Sequence, residues 1–235
     1  MTDIASRLAD VRARIARAAG RAGRDPASVR LVAVSKTFPV DAVRDAAGAG
    51  QVDFGENKVQ EALGKMEATG DLTIRWHLVG HLQSNKAKKA ALFDMIHSID
   101  SASLLRKIDE AAAAIGRRPD LLVQVDLAGE ATKFGAAEDE LPAIFDAAQQ
   151  ARAVRTVGLM LIPPAVDDPE QARPFFRRLR EVRDRLLARG VARACLVELS
   201  MGMSHDFEPA IEEGATLVRV GTAIFGARPR LPPTP

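Results

Sequence analysis

Tyrosine is absent from the 235 residues, and one cysteine, one tryptophan and four histidines are spread through them. The missing phenol excludes a tyrosine acid or base from any site this chain builds. A lone cysteine excludes an intrachain disulfide and fits a reducing compartment. Cys195 lies in the apolar run Ala194-Cys195-Leu196-Val197, which predicts a buried, inert thiol. His77 and His81 recur at a zinc-helix spacing, but no glutamate follows His77 and the segment has strand character, so no metal is expected. No Gly-x-Ser-x-Gly elbow occurs, which sets a hydrolase triad aside. No apolar run approaches the roughly 20 residues of a membrane span, and the N-terminal residues have no signal-peptide core. A cytoplasmic protein without a membrane partner is expected.

Charge of one sign is lacking too. Lysine and arginine total 33 against 31 acidic residues, a net charge of +2 that calls for no nucleic-acid partner. The arginines of the first segment (Arg7, Arg12, Arg14, Arg17, Arg21, Arg24) read as a solvated helix face.

What the chain does have is a rhythm. Ile4, Leu8, Val11 and Ile15 recur at helical spacing, which predicts one amphipathic helix before Gly20 and Gly23. Eight apolar runs of strand character follow: 31–35, 52–54, 74–79, 95–99, 121–127, 154–162, 195–199 and 217–220. Most are separated by helical stretches with Pro or Ser at their starts (Pro39, Ser84, Ser101, Pro169, Ser204). Eight buried strands alternating with helices predict a (β/α)8 TIM barrel carrying one extra N-terminal helix. No linker interrupts the pattern, so residues 1–228 read as a single domain and the Pro-rich residues 229–235 as a frayed tail. An open doubly wound sheet is disfavoured because the turn after the first strand, Ser35-Lys36-Thr37-Phe38-Pro39, holds no glycine.

In such a barrel the functional groups sit at the C-terminal strand ends, with phosphate commonly bound after strands seven and eight. Lys36 directly follows a β-type apolar run; desolvation at a strand end favours the neutral amine that attacks an aldehyde. Gly221 and Thr222 open a short turn whose N–H groups and hydroxyl suit a phosphate, with Ser200, Gly202 and Ser204 on the neighbouring loop. Asn57 ends the second strand, His77 lies in the third, and Arg219 shares the facing of Gly221 two residues on. An amine beside a phosphate cradle fits pyridoxal phosphate; it also fits a Schiff-base aldolase acting on a sugar phosphate.

Several stretches together resemble the YggS/PROSC family of pyridoxal phosphate homeostasis proteins. They are Val32-Ala33-Val34-Ser35-Lys36-Thr37, Phe54-Gly55-Glu56-Asn57-Lys58-Val59-Gln60-Glu61, Trp76 through Lys86, Gly158-Leu159-Met160 and the block Ser200–Gly226, spread over nearly the whole chain. The resemblance implies a single barrel related to the N-terminal domain of alanine racemase, holding pyridoxal 5'-phosphate as a lysine aldimine. It implies Lys36 as the Schiff-base lysine, Arg219 facing the pyridine nitrogen, and Ser200, Gly221 and Thr222 in the phosphate cradle, with Asn57 and His77 lining the same mouth. Lys58, Leu78 and Asp126 depart from the tyrosine, phenylalanine and asparagine usual in the family.

Related barrel racemases use a second base, a tyrosine from an additional C-terminal β-domain; this chain has no tyrosine and ends just after the barrel. An arginine against the ring nitrogen would also keep that nitrogen unprotonated, making the cofactor a poor electron sink. The expectation is a monomer that buffers or delivers pyridoxal 5'-phosphate, possible recipients being apo-forms of enzymes using it, without efficient catalysis. The alternative is a weak amino-acid racemase or another enzyme using the cofactor. Lys133, near Gly135, reads as a solvated loop lysine.

Overall fold

The computed structural model describes residues 3–129 and 134–227. Eight parallel strands run in sequence order around a closed barrel: β1 (Arg30–Val34), β2 (Asp53–Glu56), β3 (Arg75–Leu78), β4 (Met95–Ile99), β5 (Asp120–Gln124), β6 (Arg155–Met160), β7 (Glu198–Met203) and β8 (Leu217–Val220). Closure comes from β8 pairing with β1, with Val32 opposite Arg219 and Ala33 opposite Val220. The expected barrel is therefore the observed one, and Lys133 and residues 228–235 lie outside the described residues.

Alternation within each strand sorts side chains into two cores. Val32, Met95, Leu122, Met160 and Leu217 point inward and pack together inside the barrel. Their neighbours Leu31, Ala33, Ile96, Leu121, Val123 and Leu159 point outward and pack under the helices. The outer ring comprises α2 (Val40–Gly48), α3 (Val59–Ala68), α4 (Ala87–Ala90), α5 (Ala102–Ala114), α6 (Leu141–Gln150), α7 (Arg173–Ala188), α8 (Phe207–Glu212) and the single turn α9 (Thr222–Phe225), with α1 (Ile4–Arg21) preceding the barrel.

The short α9 leaves the ring incomplete beside β8, and α1 occupies that place, packing on α8, α9 and α2. It buries Leu8, Val11, Ile15, Ala18 and Ala19 along one stripe. The helix runs through Gly20, and Arg12, Arg17 and Arg21 are exposed as the charge pattern predicts, while several of the segment's arginines also find partners. Arg14 Nε donates to Glu208 at 2.7 Å and its guanidinium covers the Phe207 ring; Arg21 pairs with Glu212, Arg24 donates to Ile211 O, and Arg12 donates to the backbone carbonyls of Ala49 and Gly50. Each arginine reaches a partner that α1 meets only in the folded barrel.

One strand differs from its sequence reading. Residues 195–199 carry the apolar run, but Arg193–Cys195 form a 3-10 turn and the strand starts at Glu198. Cys195 is half-buried beside the ring, with its thiol pKa raised by burial, so it is less enclosed than expected. The strand extends instead to Met203 because Ser200 and Met201 are buried and Gly202 supplies a φ of +91° where a Cβ would strike Ala210 and Phe207. Among the described residues no helix is long and apolar enough to cross a membrane.

Since Leu8 is fully buried where α1 closes the ring, Leu8→Ala is expected to lower unfolding free energy by about 2–5 kcal/mol; urea denaturation followed by circular dichroism measures it.

Candidate functional site

The strand ends enclose a cleft of about 260 Å3 at the C-terminal face of the barrel. Lys36 and Phe38 come from the turn after β1, Asn57 from the end of β2, Ser204 and His205 from the turn after β7, and Arg219, Gly221 and Thr222 from β8 and the turn beyond it. Val34, Val79, Ile162 and Met203 supply apolar wall. Five of the seven residues singled out in the sequence, Lys36, Asn57, Arg219, Gly221 and Thr222, thus share one cleft. Ser200 and His77 do not line it; both are buried beneath its floor.

The lysine turn is held from outside the barrel. Lys65 on α3 is buried, and its ammonium donates to Ser35 O at 2.8 Å, Glu56 Oε1 at 2.6 Å and Glu61 Oε1 at 2.9 Å. Glu61 Oε1 also accepts the N–H of Thr37 at 2.6 Å. Thr37 has a φ of +69°, a left-handed conformation that costs a β-branched residue about 1–2 kcal/mol. The Lys65–Glu61 pair therefore brackets Lys36, fixing the carbonyl before it and the amide after it. Glu56, at the end of β2, points to Lys65 and does not line the cleft. Burial pushes its carboxyl pKa up, partly offset by the hydrogen bonds from Lys65 and Ser35, and its Oε2 is buried with no hydrogen-bond partner.

On the opposite wall, the Ser204 hydroxyl accepts the N–H of Gly221 at 3.1 Å, tying the turn after β7 to the turn after β8. Gly221 lies close to the Val34 carbonyl, where a Cβ would come within 3.0 Å. The floor is Arg219, which is almost entirely buried. Its NH1 donates to Ser200 Oγ at 2.6 Å and its NH2 to Leu161 O at 2.8 Å. Desolvation pushes its pKa down to about 10, against which the charge of Asp206 acts, so it remains a cation at neutral pH. Glu198, on the neighbouring strand, bonds Arg30 and Thr216 and not Arg219. Among the described residues no carboxylate lines the cleft.

Two residues important to this floor escaped the sequence reading. His97 accepts or donates at both ring nitrogens: Nδ1 lies 2.9 Å from Ser200 Oγ and Nε2 2.9 Å from His77 Nδ1. His77 Nε2 in turn lies 2.9 Å from Asp53 Oδ1. Strand alternation was the available signal, because His97 is two residues from the inward-facing Met95. The Asp53 carboxyl would be pushed up by burial, but His77 and Arg75 outweigh this and hold it below the usual carboxylate range. The third departure from family pattern, Asp126, caps its own loop by accepting the N–H groups of Ala128 and Gly129.

The alanine racemase N-terminal domain family matches residues 6–229. A pyridoxal phosphate homeostasis protein of Pseudomonas aeruginosa is 47% identical over 97% of this chain and 97% of its own. The solved structure of PipY of Synechococcus elongatus PCC7942 with PLP bound is 42% identical, with a TM-score of 0.84, covering 95% of this chain and all of that one. Alanine racemase of Clostridium difficile 630 shares the fold alone, at 14% identity and a TM-score of 0.74 over 97% of this chain and 58% of that one.

Lys65→Met strands the Glu56 carboxyl in the interior and is expected to cost about 3–5 kcal/mol in a denaturant titration, much of it recovered in the Lys65→Met, Glu56→Gln double variant. A second expectation concerns pH. Burial first, then His77, Arg219 and Arg30, push the His97 pKa well below 6.5. The unfolded chain takes up a proton there near that value while the barrel does not, so the His97 contribution to stability is complete above it and declines as pH falls. The slope is at most about 1.4 kcal/mol per pH unit, and His97→Gln should remove that component from the stability profile between pH 8 and 5.

Proposed function

Because the chain belongs to the pyridoxal phosphate homeostasis protein family, we propose that it binds pyridoxal 5'-phosphate in the cleft and buffers or delivers it, without efficient catalysis of its own. The observation that carries this reading is the donor set. One amine, two hydroxyls, an amide side chain, an imidazole and a buried guanidinium converge, with no carboxylate among the described residues of the lining, which suits an anionic aldehyde. In this reading Lys36 takes the aldehyde carbon, Ser204, Gly221 and Thr222 take the phosphate, Arg219 faces the ring nitrogen and Asn57 lines the rim. Ser200 passes from the phosphate cradle to the support of Arg219, and His77 with it.

When bound, pyridoxal 5'-phosphate supplies an electrophilic carbonyl and a ring that can withdraw electrons from an attached amine. The chain's own residues limit that second capacity. Arg219 stays charged, and the positive charge of a proton on a ring nitrogen facing it would be repelled. With no tyrosine in the sequence, the phenolic second base of a racemase is absent as well. Binding and exchange on Lys36 remain. Intracellular action as a monomer, with apo-forms of cofactor-requiring enzymes as recipients, completes the proposal.

Purified wild-type protein mixed with the cofactor is expected to show the visible absorption of a lysine-bound chromophore, which Lys36→Ala loses. Excess apo-form of a pyridoxal phosphate enzyme should then gain activity, while a panel of amino acids shows no turnover. Absence of the band would overturn the cofactor assignment; rapid turnover that depends on Lys36 would replace handling with catalysis.

A further inference from the structure

Beneath the cleft, a chain of side chains crosses the barrel interior from the N-terminal end of β2 to the floor: Asp53, His77, His97, Ser200 and Arg219, in four contacts of 2.9, 2.9, 2.9 and 2.6 Å. All five are buried. The hydrogen-bonding capacity of each group gives the chain a direction. A guanidinium has donors only, so Ser200 Oγ accepts from Arg219. The serine's own proton then needs an acceptor in the interior, and among its described partners that is His97 Nδ1. With Nδ1 accepting, His97 carries its proton on Nε2 and donates to His77 Nδ1. His77 likewise carries its proton on Nε2 and donates to Asp53 Oδ1. The opposite polarity would leave the Ser200 proton with no acceptor in this chain of contacts.

We infer that Asp53, His77, His97 and Ser200 are positioning residues that hold Arg219 through one directional hydrogen-bond chain, with both histidines neutral and protonated on Nε2. The physical gain lies in where the compensating charge is placed. Both guanidinium contacts, Ser200 Oγ and Leu161 O, are neutral. The carboxylate that terminates the chain is three residues away and shares itself with Arg75, whose NH2 lies 2.7 Å from Asp53 Oδ2. Arg219 is thereby oriented without being neutralised by contact, and its charge stays directed at the cleft. The other charged groups acting on the chain are Arg30, which acts on His97, and Asp206, which acts on Arg219. Arg30 adds to the positive surroundings that disfavour an imidazolium at His97. That Arg219 meets a ring nitrogen rests on the functional reading above; the polarity of the chain does not.

The test separates the two. Two-bond 1H–15N correlation spectra of the uniformly labelled wild type, without added cofactor at pH 7.5, are expected to show His77 and His97 each protonated on Nε2 and bare on Nδ1. A ring protonated on Nδ1, or an imidazolium at either position, overturns the directional chain. With pyridoxal 5'-phosphate added, Ser200→Ala is expected to weaken binding about tenfold and to shift the visible band or its pH profile, and Ser200→Thr to restore both. Asp53→Asn, at the far end of the chain, should shift the same profile in the Ser200→Ala direction. If the wild type binds the cofactor and both remote variants, folded by thermal melt, leave affinity and band unchanged, the positioning role falls while the functional reading stands. If the wild type shows no band at all, the functional reading falls and the histidine spectra still decide the chain.

Discussion

The parallel pairing of β8 with β1 carries the rest of the structure. Arg30, Leu31, Val32 and Ala33 stand opposite Leu217, Val218, Arg219 and Val220, joining segments almost 190 residues apart. That register sets Lys36, just beyond one strand, across from Gly221 and Thr222, just beyond the other. A slip of one residue would turn Arg219 out of the interior and Val220 into it. Position of the amine, the hydroxyl-bearing turn and the buried guanidinium is therefore one decision made by the ladder, with the loops adding detail.

Around this seam the chain separates support from contact. Among the described residues, the groups at the cleft surface have modest charge: one lysine, one arginine, a histidine, hydroxyls and an amide. Their geometry is imposed from behind, by Lys65 and Glu61 on the lysine turn and by Ser200 under the arginine. Carboxylates are confined to that second layer. Glu56, Glu61 and Asp53 each hold a cation or a histidine while leaving the cleft electropositive, the arrangement that draws in an anion without offering it a competitor.

The eightfold alternation was legible because most strands, such as Arg30–Val34, Met95–Ile99 and Leu217–Val220, are short apolar runs between helix signals, and barrel strands buried on both faces need such runs. The amine and the glycine turn were legible because their chemistry sits beside strand ends. Harder to read was everything that depends on neighbours across the barrel. His97 looks isolated along the chain, and Lys65 looks like any helix lysine, since their partners lie on other strands or loops. Ser200 and Ser204 stand four residues apart in the same motif, yet one is buried under the arginine and the other lines the cleft; only the register shift in β7 distinguishes them. Cys195 was misplaced because an apolar run beside a 3-10 turn resembles the strand that follows it.

The position of α1 bears on how the molecule is made. Helix α1 rests on α8 and α9, which are synthesised long after it, through contacts such as Arg14 with Glu208, 194 residues apart. Its apolar stripe has no native surface to cover until nearly the whole barrel has been synthesised, and closure of β1 on β8 waits for the same moment. The cleft therefore cannot form until β8 and α9 have been synthesised, and the nascent chain carries an unsatisfied amphipathic helix until then.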